Sequence, residues 1–159
     1  RIEKAAEDLM TLGAREIRRE NPVLARRFTE QARSKFAEAG NERAVAQCDG
    51  NVANIEMLEE NWAMAKRQQQ DVIDRLNDLG DKTALARAHG DLGNIYFQCG
   101  NFADALPQMQ EAAEMLFDVG EYRSGARLLI NIGQVLYQRD RSGRTVWDRD
   151  AEITCWELV

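Results

Sequence analysis

The chain has 159 residues, 44% of them apolar and 30% charged, a composition that excludes a disordered or collagen-like chain. Its 21 Lys and Arg stand against 27 Asp and Glu, and the resulting net charge of -6 argues against general binding to nucleic-acid phosphates. No apolar run approaches the roughly 18 to 20 residues of a spanning helix, so neither a membrane partner nor a signal peptide is expected.

The first predicted element is a helix that ends before Asn21. Asn21 stands where a side-chain oxygen caps a second helix, and Pro22 takes the first helical position, where its missing N–H costs nothing. Gly40 closes that helix with a left-handed residue, after which Asn41 caps the next. The same punctuation returns with Asn61, Gly80 and Asp81. In the third pass Leu85, Ala88, Leu92, Ile95, Tyr96 and Cys99 recur at three and four, the stripe of an amphipathic helix. A second stripe, from Phe102 through Ala105, Met109, Ala112 and Leu116, follows the cap Asn101 and stops at Gly120. Pro107 lies about two turns into it and removes a hydrogen bond at a typical cost of ~3 kcal/mol, so a kink that fits a curved stack is expected there. After a fourth first helix, Asp140 to Val146 reads as a turn-rich link. Trp147 to Trp156 reads as a weaker helix that caps the array or pairs with another chain.

These elements repeat in one ungapped register of 40 residues, giving copies at 1–40, 41–80, 81–120 and a degenerate 121–159. Place 6 of the copies holds Ala6, Ala46, Ala86 and Ala126, and place 13 holds Gly13, Ala53, Gly93 and Gly133. Place 25 holds Ala25, Ala65 and Ala105 but then Thr145; place 32 holds Ala32, Val72 and Ala112 but then Glu152. Small residues at fixed places let helices cross closely, with large residues packed around them. A unit of this length cannot bury its own apolar face, so the expectation is an all-α solenoid of four helical hairpins, eight helices in a single domain. Because the sequence divides into whole units, it is expected to be a piece of a longer protein.

Chemistry is sparse. There is no phosphate-cradling loop, no dinucleotide fingerprint and no zinc-hydrolase spacing, so no enzyme, metal or cofactor is expected. His89, the single histidine, sits where other copies hold Leu9, Asp49 and Leu129, a place for packing between helices. Glu59 and Glu60 are adjacent and so point apart on a helix. Cys48, Cys99 and Cys155 lie far apart, which suits a reducing compartment, the cytoplasm, better than a disulfide framework.

The small residues at places 13, 25 and 32, together with the stretch from Gly90 to Leu106 and its echo Gly50-Asn51-Val52-Ala53-Asn54, resemble the tetratricopeptide repeat. The 40-residue length is similar to the variety in Pins/LGN-type spindle-orientation adaptors and kinesin light chains; HEAT and armadillo arrays, of about 40 to 47 residues, are the minority reading. The resemblance implies a right-handed superhelix whose first helices line a concave groove for a peptide or segment of another protein. It would place Asn51, Asn54, Arg87, Gly90, Asp91, Asn94, Phe97, Gln98, Arg127, Asn131, Gln134 and Tyr137 on that groove. Amides both donate and accept, as the main chain of a bound peptide requires, though they serve equally to bond neighbouring helices. Arg87 and Arg127 share place 7 and suit an acidic segment, or a salt bridge to Asp91. Gly50 and Gly90 cost about 1 kcal/mol against Ala within a helix, which implies that a ligand or a helix approaches the backbone there. Gly50, Gly90 and Ile130 also replace the lysines of a chaperone-tail clamp. Two readings follow: an adaptor or scaffold that binds a partner peptide, or a self-associating repeat whose C-terminal end or groove is filled by its own chain or another copy.

Overall fold

A computed structural model describes residues 1–141. These residues form seven α-helices: α1 (Ile2–Arg18), α2 (Pro22–Glu38), α3 (Glu42–Leu58), α4 (Trp62–Leu79), α5 (Lys82–Gln98), α6 (Phe102–Asp118) and α7 (Tyr122–Arg141). The count is seven, not eight, because the helix predicted over 147–156 lies outside the described residues. The chain divides into two compact units, Arg1–Gly80 and Asp81–Val159. Among the described residues no helix is long and apolar enough to cross a membrane.

The turns follow a single design. Gly40, Gly80, Gly100 and Gly120 have φ of 70, 70, 79 and 80°, and Glu20 and Glu60 take the same left-handed conformation at 56 and 61°. At most of them the chain closes the helix with a Schellman pair. The N–H of Gly40 donates to the carbonyl of Ala37 at 3.0 Å and that of Asn41 to Phe36 at 2.9 Å. Glu60 and Asn61 repeat the pair on Met57 and Glu56 at 3.0 and 2.9 Å. The residue that finishes this pair then starts the next helix. Asn21, Asn41, Asp81 and Asn101 each accept a hydrogen bond from the backbone N–H three residues on, that of Leu24, Ala44, Ala84 and Asp104 respectively. Asn61 departs from its expected cap: its Nδ2 donates to Glu56 Oε2 at 2.9 Å, and no side-chain cap bond forms on α4.

The first unit is built on α1 to α4. Ala6, Ala32, Phe36, Ala44 and Cys48 form a buried cluster with Leu9, Met10 and Val45 packed against it. At the crossing of α1 and α2 a Cβ on Gly13 would stand 2.6 Å from Thr29 Oγ1, so a side chain there requires the Thr29 hydroxyl to turn aside. Charged ties bind the helices further. Asp49 on α3 accepts from Arg33 on α2 and from Arg75 on α4, both at 2.6 Å, while Arg26 donates to Glu56 at 2.9 Å and to Glu59 at 2.6 Å. The hydrogen bond to Asp49 and its charge raise the pKa of Arg33; burial opposes the charge on Arg26, but its two carboxylate bonds outweigh that.

The second unit gathers Ala86, Ala105, Leu106, Met109, Ala112, Ala113, Leu116, Leu128, Ile132 and Val135 into one core shared by α5, α6 and α7. A Cβ on Gly93 would lie 2.6 Å from Met109 Cγ and 3.2 Å from the carbonyl of Ala105, the close crossing that the small-residue spacing predicts. Pro107 is exposed, and α6 runs unbroken across it from Phe102 to Asp118.

Candidate functional site

The candidate residues fall on the first helix of each hairpin, on α3 in the first unit and on α5 and α7 in the second. Asn51 and Asn54 are half-buried, one turn apart on one side of α3. Among the described residues neither side chain makes a hydrogen bond, and Asn54 Oδ1 is shielded from solvent without a donor. An orphan acceptor of this kind costs about 1 to 3 kcal/mol. These two amides therefore do not tie α3 to its neighbours. Gly50 is buried: a Cβ there would meet Gln69 at 3.7 Å and Val72 at 3.8 Å, so the group that approaches its backbone is α4.

In the second unit Arg87, Gln98, Arg127, Gln134 and Tyr137 are exposed, and Gly90, Asp91, Asn94, Phe97 and Asn131 are half-buried. Asp91 and Asn94 are engaged in interactions of their own, whereas Asn131 and Gln134 make none among the described residues. The amide row is thus two kinds of residue. Gly90 faces Leu128 of α7 and Ala112 of α6, and a Cβ there would meet them in ordinary contact at 3.8 and 3.9 Å, so the fold has room for alanine at this place. Phe97 packs against the core, with its ring centroid 5.7 Å from that of Phe102, so it supports the face more than it lines it. Arg87 and Arg127 have no ion-pair partner among the described residues, and the alternative bridge from Arg87 to Asp91 does not form. The Arg141 guanidinium lies 5.7 Å from the Tyr137 ring centroid.

His89 is held between helices, its Nδ1 2.8 Å from Gln108 Oε1 and 3.9 Å from Glu111 Oε2, on α6. Among the described residues no group of three His, Cys, Asp or Glu side chains could hold a metal ion. Burial pushes the Cys48 thiol up to about 12, with the Asp49 charge adding to the shift and Arg33 opposing it. The polar residue the repeat pattern did not single out is Asp49. A carboxylate at a place that holds leucine in two other copies was the signal, and its two arginines explain it.

No family model and no curated protein matches the chain. A solved structure of a Rap protein complexed with competence and sporulation factor is similar to it, with a TM-score of 0.81 at 14% identity. The likeness covers 99% of this chain and 43% of that one, so the chain spans less than half of the Rap protein's length. At this identity the likeness speaks for fold alone, an all-helical fold shared with that protein.

Proposed function

We propose that this chain is a protein-interaction module that holds a peptide segment of a partner on first helices of its hairpins, in an adaptor or scaffold role. The observation that carries this reading is the group of amides the fold does not use. Asn51, Asn54, Asn131 and Gln134 sit inside helices, where Asn is a poor helix former, and make no hydrogen bond among the described residues. Each offers a donor and an acceptor, the pair that an extended main chain presents in return. A ligand N–H that reaches the orphan Asn54 oxygen relieves its burial cost. Arg87 and Arg127, exposed and unpaired among the described residues, favour an acidic segment. The fold likeness to a Rap protein that was solved with a bound factor supports the same class of function.

Affinity capture from cell extract tests it, with Asn51→Ala/Asn54→Ala and Asn131→Ala/Gln134→Ala as paired variants. The captured partner is expected to fall at least tenfold with either pair while helix content stays unchanged. Equal recovery by wild type and both variants would remove the amides from the binding site.

A further inference from the structure

In its present position α3 withholds the acceptor that a bound peptide would use: Asn54 Oδ1 is shielded from solvent and has no donor. The helix is also lightly packed. Besides Gly50 it buries Ala44, Ala46, Cys48, Ala53 and Ile55, so Ile55 alone is large, whereas α5 buries Leu85, Leu92 and Ile95. Ala46, Gly50 and Ala53, spaced by four and three, lie on the side toward α4. A Cβ on Gly50 would meet Gln69 and Val72 of α4 in ordinary contact, at 3.7 and 3.8 Å, so this crossing has room for a methyl group. The helix crossings at Gly13 and Gly93 are tighter, each placing a Cβ 2.6 Å from a side-chain atom of Thr29 or Met109.

What α3 lacks in apolar contact it has in charge. Asp49 accepts from Arg33 of α2 and from Arg75 of α4, both at 2.6 Å. Two turns further along, Glu56 accepts from Arg26 of α2 at 2.9 Å, and Glu59, just past the helix end, accepts from the same guanidinium at 2.6 Å. Residues 49 and 56 share one side of the helix, whereas 51 and 54 come out about 140 to 200° away around it. The ties therefore grip α3 on the side opposite its amides. A turn of the helix about its axis that carries Asn54 toward solvent moves Asp49 and Glu56 with it and lengthens these bonds.

We infer that the arginine ties to Asp49, Glu56 and Glu59 are an autoinhibitory latch: they hold α3 in the turn that hides the Asn54 oxygen, and their release lets α3 rotate and offer that oxygen to a ligand. This rests on the proposed peptide-binding function and adds its regulation. The room beside Gly50 supplies the freedom to turn. The ties supply the restraint, and because their side chains are partly exposed, salt weakens it.

Thiol labelling tests the latch without any ligand. In the full chain carrying Asn54→Cys, iodoacetamide at pH 8, followed by peptide mass mapping, should modify position 54 slowly. Adding Asp49→Asn or Arg26→Gln should speed that modification at least tenfold, and about 0.5 M salt severalfold. Gly50→Ala, which fills the room against α4, should slow it severalfold. Gln98→Cys, at an exposed position of α5, is the reference and should label at one rate throughout. Cys48 should stay unmodified, because its labelling together with position 54 would mean that α3 unfolds instead of turning and would overturn the inference. So would a rate at position 54 that Asp49→Asn and salt leave unchanged, the result expected if the Asn54 side chain turns by itself. Capture then joins the latch to the site: the partner recovered with wild type should increase severalfold with Asp49→Asn and decrease with Gly50→Ala, and equal recovery would refute the regulatory role. If wild type captures no partner, the proposed function fails while the labelling still decides whether the ties hold α3.

Discussion

Glu20 and Glu60 hold the left-handed conformation that Gly40, Gly80, Gly100 and Gly120 adopt without steric cost. A side chain in that region costs about 1 kcal/mol, so Glu60→Gly is expected to stabilise the protein by about 0.5 to 1 kcal/mol despite the greater freedom of the unfolded chain. Denaturant midpoints measure this, and a lower midpoint would show that the Glu60 side chain compensates for its backbone. Cys48 makes a second residue-scale case. Its thiol titrates at about 12 in the fold against 9.0 ordinarily, so the folded state holds this proton more tightly. The associated stability is fully present below pH 9 and declines as pH rises from there toward 12. Iodoacetamide at pH 8 should therefore label Cys99 while leaving Cys48 intact in native protein, as peptide mass mapping would reveal; rapid labelling of both would contradict the burial.

At the scale of elements the helices were largely legible, and the reason is chemical punctuation. Glycine marks a left-handed stop and Asn or Asp marks a start, so Gly40, Asn41, Asp81, Asn101 and Gly120 could be placed from residue type alone. The turns at Glu20 and Glu60 left no such mark, since glutamate has no preference for that conformation. Asn61 carried the mark but turned its amide to Glu56, because a carboxylate within reach competes with a backbone N–H. Gly50 likewise announced a close approach without saying whose; in the fold it is Gln69 and Val72 of α4. The crossing of α5 and α6 was the most explicit signal. Gly93→Leu should lower stability by about 1 to 3 kcal/mol through overpacking against Met109 and the Ala105 carbonyl, and an unchanged melting temperature would refute that contact.

At the scale of the whole molecule both units bury apolar cores, and the first adds charged ties between its helices. Asp49 joins α2, α3 and α4 of the first unit through Arg33 and Arg75, which are 46% and 38% exposed, so solvent weakens each tie. The second unit shares a continuous apolar core among its three described helices. Asp49→Ala is expected to cost about 1 kcal/mol, and 1 M salt should reproduce part of that loss. Hydrogen exchange would locate it: amides of α2 to α4 should lose protection and those of α5 to α7 should not, whereas a uniform change would refute the assignment. The candidate site was legible only within a helix. Spacing placed Asn51 with Asn54 and Asn131 with Gln134, but whether an amide is consumed by the fold depends on neighbours distant in sequence, as Asn94, engaged, and Asn131, idle among the described residues, illustrate. The left-handed joint recurring at residues 20, 40, 60, 80, 100 and 120 has a further consequence. A gene segment encoding one hairpin can be copied or excised between two such joints, and the chain on either side meets the same backbone geometry as before, so length can change by whole hairpins while every connection keeps its form.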